Sequence, residues 1–273
     1  MYKFGFIGVG NMGGALAEAV CKSEQDVMLA DKDELRASAR AEGLGCGCGS
    51  AEDIASSCDY IFLGVKPQTI AALAEQISPI LRARQDRFVI VSMIAGLSID
   101  ALSRLLAVSC PIIRIMPNTP ASVGEAMIVY CPNDKVSDEQ LEGFIHAMSR
   151  SGKLDRLDES RIAAAGALSG CGPAFVYMFI EALADGCVKC GLPRAKALMY
   201  AEQTILGAAK LAQTSGKHPG QLKDEVCSPG GTTIEGVYAL EAAGFRAAVI
   251  EAVAAAYEKT LDMAAPSAGN ERG

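Results

Sequence analysis

The opening segment KFGFIGVGNMG, residues 3–13, constrains this chain more than any other. A short apolar run reads as a β-strand. It passes directly into Gly8-Val9-Gly10-Asn11-Met12-Gly13, a GxGxxG pattern, and then into the helical run Asn11–Lys22. The pattern is weak by itself, but a strand before it and a helix after it are the context it requires. There the first glycine permits the tight turn, the second lets backbone approach a pyrophosphate, and the third lets the helix pack on the strand. The anion would rest on the helix N-terminus, where unbonded N–H groups and the helix dipole favour negative charge. A purely structural glycine turn is the alternative. Gly8, Gly10, Asn11, Met12 and Gly13 are therefore the first candidate cofactor positions.

The strand–helix alternation continues. Lys3–Gly8, Asp26–Ala30, Asp59–Val65, Arg87–Met93 and Pro111–Met116 read as strands, and Asn11–Lys22, Asp33–Glu42, Gln68–Leu81 and Ser98–Leu106 as helices. Continuous apolar strands separated by helices imply a parallel sheet covered on both faces. Ala126–Tyr130 reads as a further strand and Ser137–Arg150 as a further helix. Beyond Leu157 the texture changes: Ala, Leu, Met and Gly dominate and strand runs vanish. Helices are expected at Ser160–Leu168, Pro173–Cys190, Arg194–Thr214, Thr232–Ala243 and Phe245–Ala264. The fold class is thus α/β, a Rossmann-type doubly wound parallel sheet followed by an all-α domain. The expected boundaries are 1–157, 158–265 and a tail at 266–273.

Composition enters where it excludes. Net charge is −7 with no Lys/Arg block, which argues against a nucleic-acid partner. Residues 162–180 form a run of 19 without a charge, close to the ~20 that cross a bilayer. The run contains Ser169-Gly170-Cys171-Gly172-Pro173, which should break a helix, so a buried helix–turn–helix and no membrane are expected. The N-terminus shows no basic-then-apolar leader, so a cytoplasmic location is expected and the 10 cysteines should be reduced thiols. Cys46 and Cys48 sit in a Gly-rich, strand-like piece. Cys187 and Cys190 form a CxxC without a second pair, and His146 and His218 are the only histidines, so no metal is expected.

Further candidates lie at strand ends. Asp31 stands where an acid usually binds ribose hydroxyls, which favours NADH, while the adjacent Lys32 could attract the 2′-phosphate of NADPH. A solvated Asp-Lys-Asp turn is the alternative. Val65-Lys66-Pro67 ends the third strand on the edge where open α/β folds bind ligands, and Ala95 follows the next. Arg114-Ile115-Met116-Pro117-Asn118-Thr119-Pro120 ends a later strand in a rigid loop suited to a nicotinamide wall, with Asn118 as its candidate contact. In the helical half, Ser228-Pro229-Gly230-Gly231-Thr232-Thr233 precedes a helix and could cradle a carboxylate on converging N–H groups. It could equally be an N-cap box with Glu235.

On GVGNMG, VKP, RIMPNTP, LSGCGPAFVYMFIEALADGCVKCGLPRAKA and SPGGTTIEGVYALE, in this order, the chain resembles the pyrroline-5-carboxylate reductases over nearly its whole length. The resemblance implies reduction of 1-pyrroline-5-carboxylate to L-proline, the last step of proline biosynthesis, with NADPH or NADH. It implies a helical domain that interlocks two subunits, as a homodimer or a ring of dimers, and a site at the domain junction. By position, Ser228, Gly230, Gly231 and Thr232 should meet the substrate, Thr233 should bond the ring nitrogen, and Glu159 and Glu225 should line the pocket. Two departures stand out. Cys171 replaces the family's usual serine, and Asp31 stands where many members carry small or amide residues. A 3-hydroxyacid dehydrogenase using Lys189 as acid/base, or a non-catalytic dinucleotide sensor, is the alternative.

Overall fold

The structure is a computed structural model that describes residues 2–264. Its strands are β1 (Phe4–Ile7), β2 (Val27–Ala30), β3 (Gly47–Cys48), β4 (Tyr60–Leu63), β5 (Val89–Ser92), β6 (Ile112–Met116), β7 (Ala126–Pro132) and β8 (Gly152–Arg156). The helices among and just after them are α1 (Asn11–Cys21), α2 (Glu34–Leu44), α3 (Ala51–Ser57), α4 (Ile70–Ala83), α5 (Ile99–Leu106), α6 (Asp138–Met148) and α7 (Ile162–Ser169). Then follow α8 (Gly172–Lys189), α9 (Arg194–Ser215), α10 (Pro219–Val226), α11 (Thr232–Ala242) and α12 (Phe245–Ala264).

The strands make one eight-stranded sheet in the order β3-β2-β1-β4-β5-β6-β7-β8. β1, β2, β4 and β5 are buried along their full length, which is why their sequences are unbroken apolar runs and not alternating ones. One apolar cluster covers each face. Phe6 stacks on Phe62 at 4.2 Å on the first, and Ile54, Ile77, Leu81 and Leu106 close the second.

The parallel sheet expected from the alternation holds from β3 to β6. It fails at β7, which runs antiparallel to β6, with Ile113 facing Pro132 and Met116 facing Val129. The loop from Pro117 to Glu125 contains only a 3-10 turn, too short for a parallel crossover, so the chain must reverse. Three elements had no clear sequence signal. β8, GKLDR, is an outer strand with little buried surface to impose a pattern. α3 has 7 residues and is defined by a Ser50–Asp53 capping box. α10 is polar and starts on Pro219 at its first turn.

By packing, residues 2–171 together with residues 256–264 form one compact unit and residues 172–255 a second. The apolar run around Gly170 is broken as expected: Gly170 and Cys171 turn between α7 and α8, both donating to the Gly166 carbonyl, at 2.8 and 3.3 Å. Its expected burial is a different matter. Within this chain Val176, Tyr177 and Met178 are exposed, and the buried core of the second unit consists of Ala184, Ala197 and Ala201. α8 and α9 pack closely because these facing residues are small.

All 10 cysteines are free thiols. Burial pushes the Cys58 and Cys110 thiols up to about 11 from an ordinary 9.0. Such a thiol binds its proton more tightly folded than unfolded, so its contribution to stability is complete below about pH 9 and is lost as pH rises toward 11. Urea midpoints should therefore fall between pH 9 and 11, and fall less steeply in a Cys58→Ala/Cys110→Ala variant.

Candidate functional site

The carboxyl ends of β1, β2, β4, β5 and β6 all point to one edge of the sheet, so Gly8–Gly13, Asp31-Lys32, Val65-Lys66-Pro67, Ala95 and Asn118 are brought to that edge from five separate loops. Chain order reverses direction between β1 and β4, and the crevice at such a switch point is where open α/β sheets bind ligands.

The three motif glycines do different work. Gly8 has φ +95°, and a Cβ there would lie 2.7 Å from the Gly64 backbone. A Cβ on Gly13 would lie 2.0 Å from the Gly8 carbonyl oxygen. Both are glycine because backbone meets backbone. Gly10 is unlike them: its φ is −64°, open to any residue, and a Cβ there would meet nothing within 4 Å. The fold does not need a glycine at this position. It caps α1 with no side-chain partner, so the first N–H groups of α1 face a clear approach. That is the space and polarity a dinucleotide pyrophosphate requires.

Asp31 is placed at this loop but does more than wait for a ribose. Its Oδ2 accepts the Val9 N–H at 2.8 Å and its Oδ1 the Asp33 N–H at 3.0 Å, with the side chain 7% exposed. Arg36, which sequence reasoning passed over, stands 3.8 Å from Asp31 and 3.0 Å from Asp33. The Asp31 charge is thus turned toward backbone and countered by a guanidinium, which weakens the argument that it repels a 2′-phosphate. Lys32 is exposed beside it. The signal for Arg36 was its position one turn into α2, three residues after the Asp33 N-cap.

Asn118 is buried, and its side chain is committed: Nδ2 donates to the Ser169 carbonyl at 2.9 Å and Oδ1 accepts the Met127 N–H at 3.0 Å. It braces the loop after β6 against α7 and β7. Lys66 and Ala95 are exposed on their loops, and Lys66 precedes a 3-10 turn that begins at Pro67.

Next to these loops a cavity of about 520 Å³ opens, with Pro67, Ala95, Arg114, Glu159 and Thr260 in its wall. Glu159 is held from two sides, its Oε1 accepting the Ile99 N–H at 2.7 Å and the Arg114 Nη1 at 2.9 Å. It thereby caps α5 and neutralises Arg114, whose Nε is buried without a partner among the described residues. Arg114 was visible only as part of a motif, since nothing in a strand sequence tells which buried position carries a paired charge.

The second unit holds the remaining candidates. Gly230 has φ +64° and the Gly231 N–H donates to the Ser228 carbonyl at 3.0 Å, which turns the chain into α11. Gly231 is the N-cap and makes no side-chain cap bond, so the N-cap box with Glu235 is not formed. The N–H groups of the first turn of α11 are consequently left for another acceptor. Glu225 faces Lys217, whose Nζ lies 2.7 and 2.9 Å from its two oxygens. Lys189 lies exposed at the end of α8. Among the described residues no group of three His, Cys, Asp or Glu is placed to hold a metal.

Residues 159–263 match the family model for pyrroline-5-carboxylate reductase dimerisation, and residues 3–96 match that for NADP oxidoreductase, coenzyme F420-dependent. The chain is 40% identical to the pyrroline-5-carboxylate reductase of Escherichia coli K12, over 94% of this chain and 97% of that one. It is 39% identical to that of Pisum sativum, with 96% of each covered. The crystal structure of Plasmodium falciparum pyrroline carboxylate reductase with NADP bound superimposes with a TM-score of 0.86 at 33% identity, covering 97% of this chain and 98% of that one.

Gly10→Ala should keep or slightly raise the melting temperature, since alanine fits φ −64° and shortens the list of unfolded conformations. It should weaken NAD(P)H binding about tenfold or more in calorimetry, because the methyl enters the pyrophosphate approach. Gly13→Ala should instead destabilise the fold by about 1–3 kcal/mol through overpacking. Equal effects of the two changes on stability would contradict this division of labour.

Proposed function

Since the chain belongs to the pyrroline-5-carboxylate reductase family, we propose that the Ser228–Thr233 loop holds the substrate carboxylate and that Thr233 orients the ring nitrogen. The chain is an NAD(P)H-dependent oxidoreductase that reduces 1-pyrroline-5-carboxylate to L-proline in proline biosynthesis. The observation that carries the assignment of the loop is the uncapped N-terminus of α11 behind Gly230-Gly231. Backbone N–H groups and the helix dipole there suit a carboxylate, with the Ser228, Thr232 and Thr233 hydroxyls alongside.

NAD(P)H, when bound, supplies the hydride that adds to the imine carbon. The residues of the chain do the rest by position. Gly8, Gly10, Asn11, Met12 and Gly13 receive the pyrophosphate on α1, and Lys32 with Arg36 is placed to meet a 2′-phosphate. Val65, Lys66, Pro67, Ala95 and the Asn118 loop form the edge against which the nicotinamide is held, and Glu159 sets that edge by capping α5. The ring nitrogen carries a proton as hydride arrives, because an iminium is the better electrophile, and the Thr233 hydroxyl oxygen accepts this N–H without serving as the acid. A threonine hydroxyl is a poor acid, so Thr233 is assigned orientation, with water or solution supplying the proton. Aligning two reactants can supply roughly 7–11 kcal/mol of barrier lowering. The exposed Lys189 gives no support to hydroxyacid chemistry.

The chain oligomerises through its dimerisation domain. We assign it a homodimer or a ring of dimers, since Tyr177, Met178, Tyr238 and Ile250 stand more than half exposed on the second unit. A second copy covering this surface would also bury α8, which is consistent with a soluble, cytoplasmic enzyme. Sedimentation should show a dimer or larger, and Met178→Glu with Tyr238→Glu should dissociate it and abolish activity together.

Loss of NAD(P)H absorbance with pyrroline-5-carboxylate tests the reaction directly. Thr233→Ala should lower kcat/KM by roughly 1–3 kcal/mol, the cost of an unpaired polar partner, with cofactor affinity nearly unchanged. Thr233→Ser should recover most of the loss. An alanine variant equal to wild type would remove Thr233 from the site.

A further inference from the structure

The sheet has another edge, at the amino ends of β5 and β6, that the reductase chemistry leaves unused. A cavity of about 630 Å³ opens there, with Arg82, Arg84, Arg87, Ser109, Lys135 and Gln140 in its wall. Phe88 and Pro111, which also line it, immediately precede the two strands, so it lies across the sheet from the Gly8–Gly13 loop.

Its charge runs against that of the protein. The chain carries a net −7, yet four cationic side chains line this cavity and Asp86 is its one carboxylate. Arg84 and Asp86 satisfy each other. The Arg84 Nε and Nη2 donate to the two Asp86 oxygens at 2.8 and 2.5 Å, and its Nη1 donates to the Ala55 and Cys58 carbonyls at 2.9 and 2.8 Å. With its guanidinium 4.8 Å from the centre of the Phe88 ring, Arg84 is a fixed, neutralised part of the floor. Arg82, Arg87 and Lys135 remain. All three are exposed, and among the described residues none has a carboxylate at ion-pair distance.

Neutral donors complete the wall. The Ser109 hydroxyl meets the Lys135 ammonium. The capping box of α6 uses the Gln140 Oε1 and the Ser137 Oγ as acceptors, which leaves the Gln140 amide nitrogen and the Ser137 hydroxyl proton available. Like charges held around a concavity raise each other's energy, so an arrangement whose one carboxylate, Asp86, is already taken by Arg84 favours an external anion.

We propose that this amino-edge cavity is a second ligand site, for a small phosphorylated polyanion. Three uncompensated cations exceed what one carboxylate can use and match a di- or triphosphate group, whose oxygens suit the arginine fork and the lysine point charge. The volume falls within the ~300–1,000 Å³ of small-molecule sites. The ligand would bind together with NAD(P)H, because the two sites lie on opposite edges of the sheet.

The test is calorimetry on the oligomer saturated with NADPH, so that the glycine loop is already filled, in low-salt buffer. Sodium pyrophosphate is titrated in one arm and ATP in the other. Binding of one equivalent per chain, weakening with added salt, is expected in at least one arm. Arg82→Gln/Arg87→Gln should weaken it tenfold or more and Lys135→Gln several-fold, with the KM for NADPH unchanged. ATP binding ten times tighter than pyrophosphate identifies a nucleotide, with its base on the apolar wall at Val108 and Pro111; equal affinities identify the free phosphate compound. No heat in either arm at millimolar ligand, or full affinity in the double variant, overturns the proposal.

Discussion

Gly8, Gly13 and Gly64 bring the end of β1, the start of α1 and the end of β4 into direct backbone contact. A Cβ on Gly13 would stand 2.0 Å, and one on Gly64 2.5 Å, from the same Gly8 carbonyl oxygen. Because α1 can lie this close to the sheet, its N-terminus reaches the switch point between β1 and β4. The Asp31 carboxylate, fixed on the Val9 N–H, holds the turn in that position from the neighbouring strand. Everything placed at the carboxyl edge depends on this contact, since it decides where the first N–H groups of α1 lie.

A second constraint acts farther along the same edge. Arg114 is buried inside β6, where a charge without a partner would be costly. Glu159 resolves the charge and, with the same oxygen, caps α5. A strand, a helix start and the chain leading into α7 are thus tied by one carboxylate beside a cavity that includes Pro67 and Ala95. Glu159 therefore fixes the shape of this cavity wall as well as its charge.

The second unit follows a different physical logic. A core of three alanines cannot stabilise 84 residues by burial alone, and its large apolar residues lie on the surface of the single chain. Small-residue packing between α8 and α9 sets the pair, and association supplies what the monomer lacks. The run with membrane-like hydropathy lies within the residues that match the dimerisation model.

Much of this was legible in the residue order. The strands β1, β2, β4, β5 and β6 read directly because full burial on both faces forces continuous apolar runs, and GxGxxG read directly because its strand and helix neighbours are adjacent in sequence. The loop SPGGTT stood out through its consecutive Pro229-Gly230-Gly231, which punctuates a chain and does not continue a helix. Other features needed three dimensions. The reversal at β7 depends on loop length against sheet geometry, and β8 carries no pattern because an outer strand buries little. Which glycines serve the fold and which serve a ligand is a question of what stands within 4 Å, and sequence spacing contains no such distances. The pairing of Arg114 with Glu159, 45 residues apart, and the gathering of Arg82, Arg87 and Lys135 at one edge arise only when the sheet brings distant segments together. Local periodicity reports burial along one segment; long-range charge placement is decided by topology.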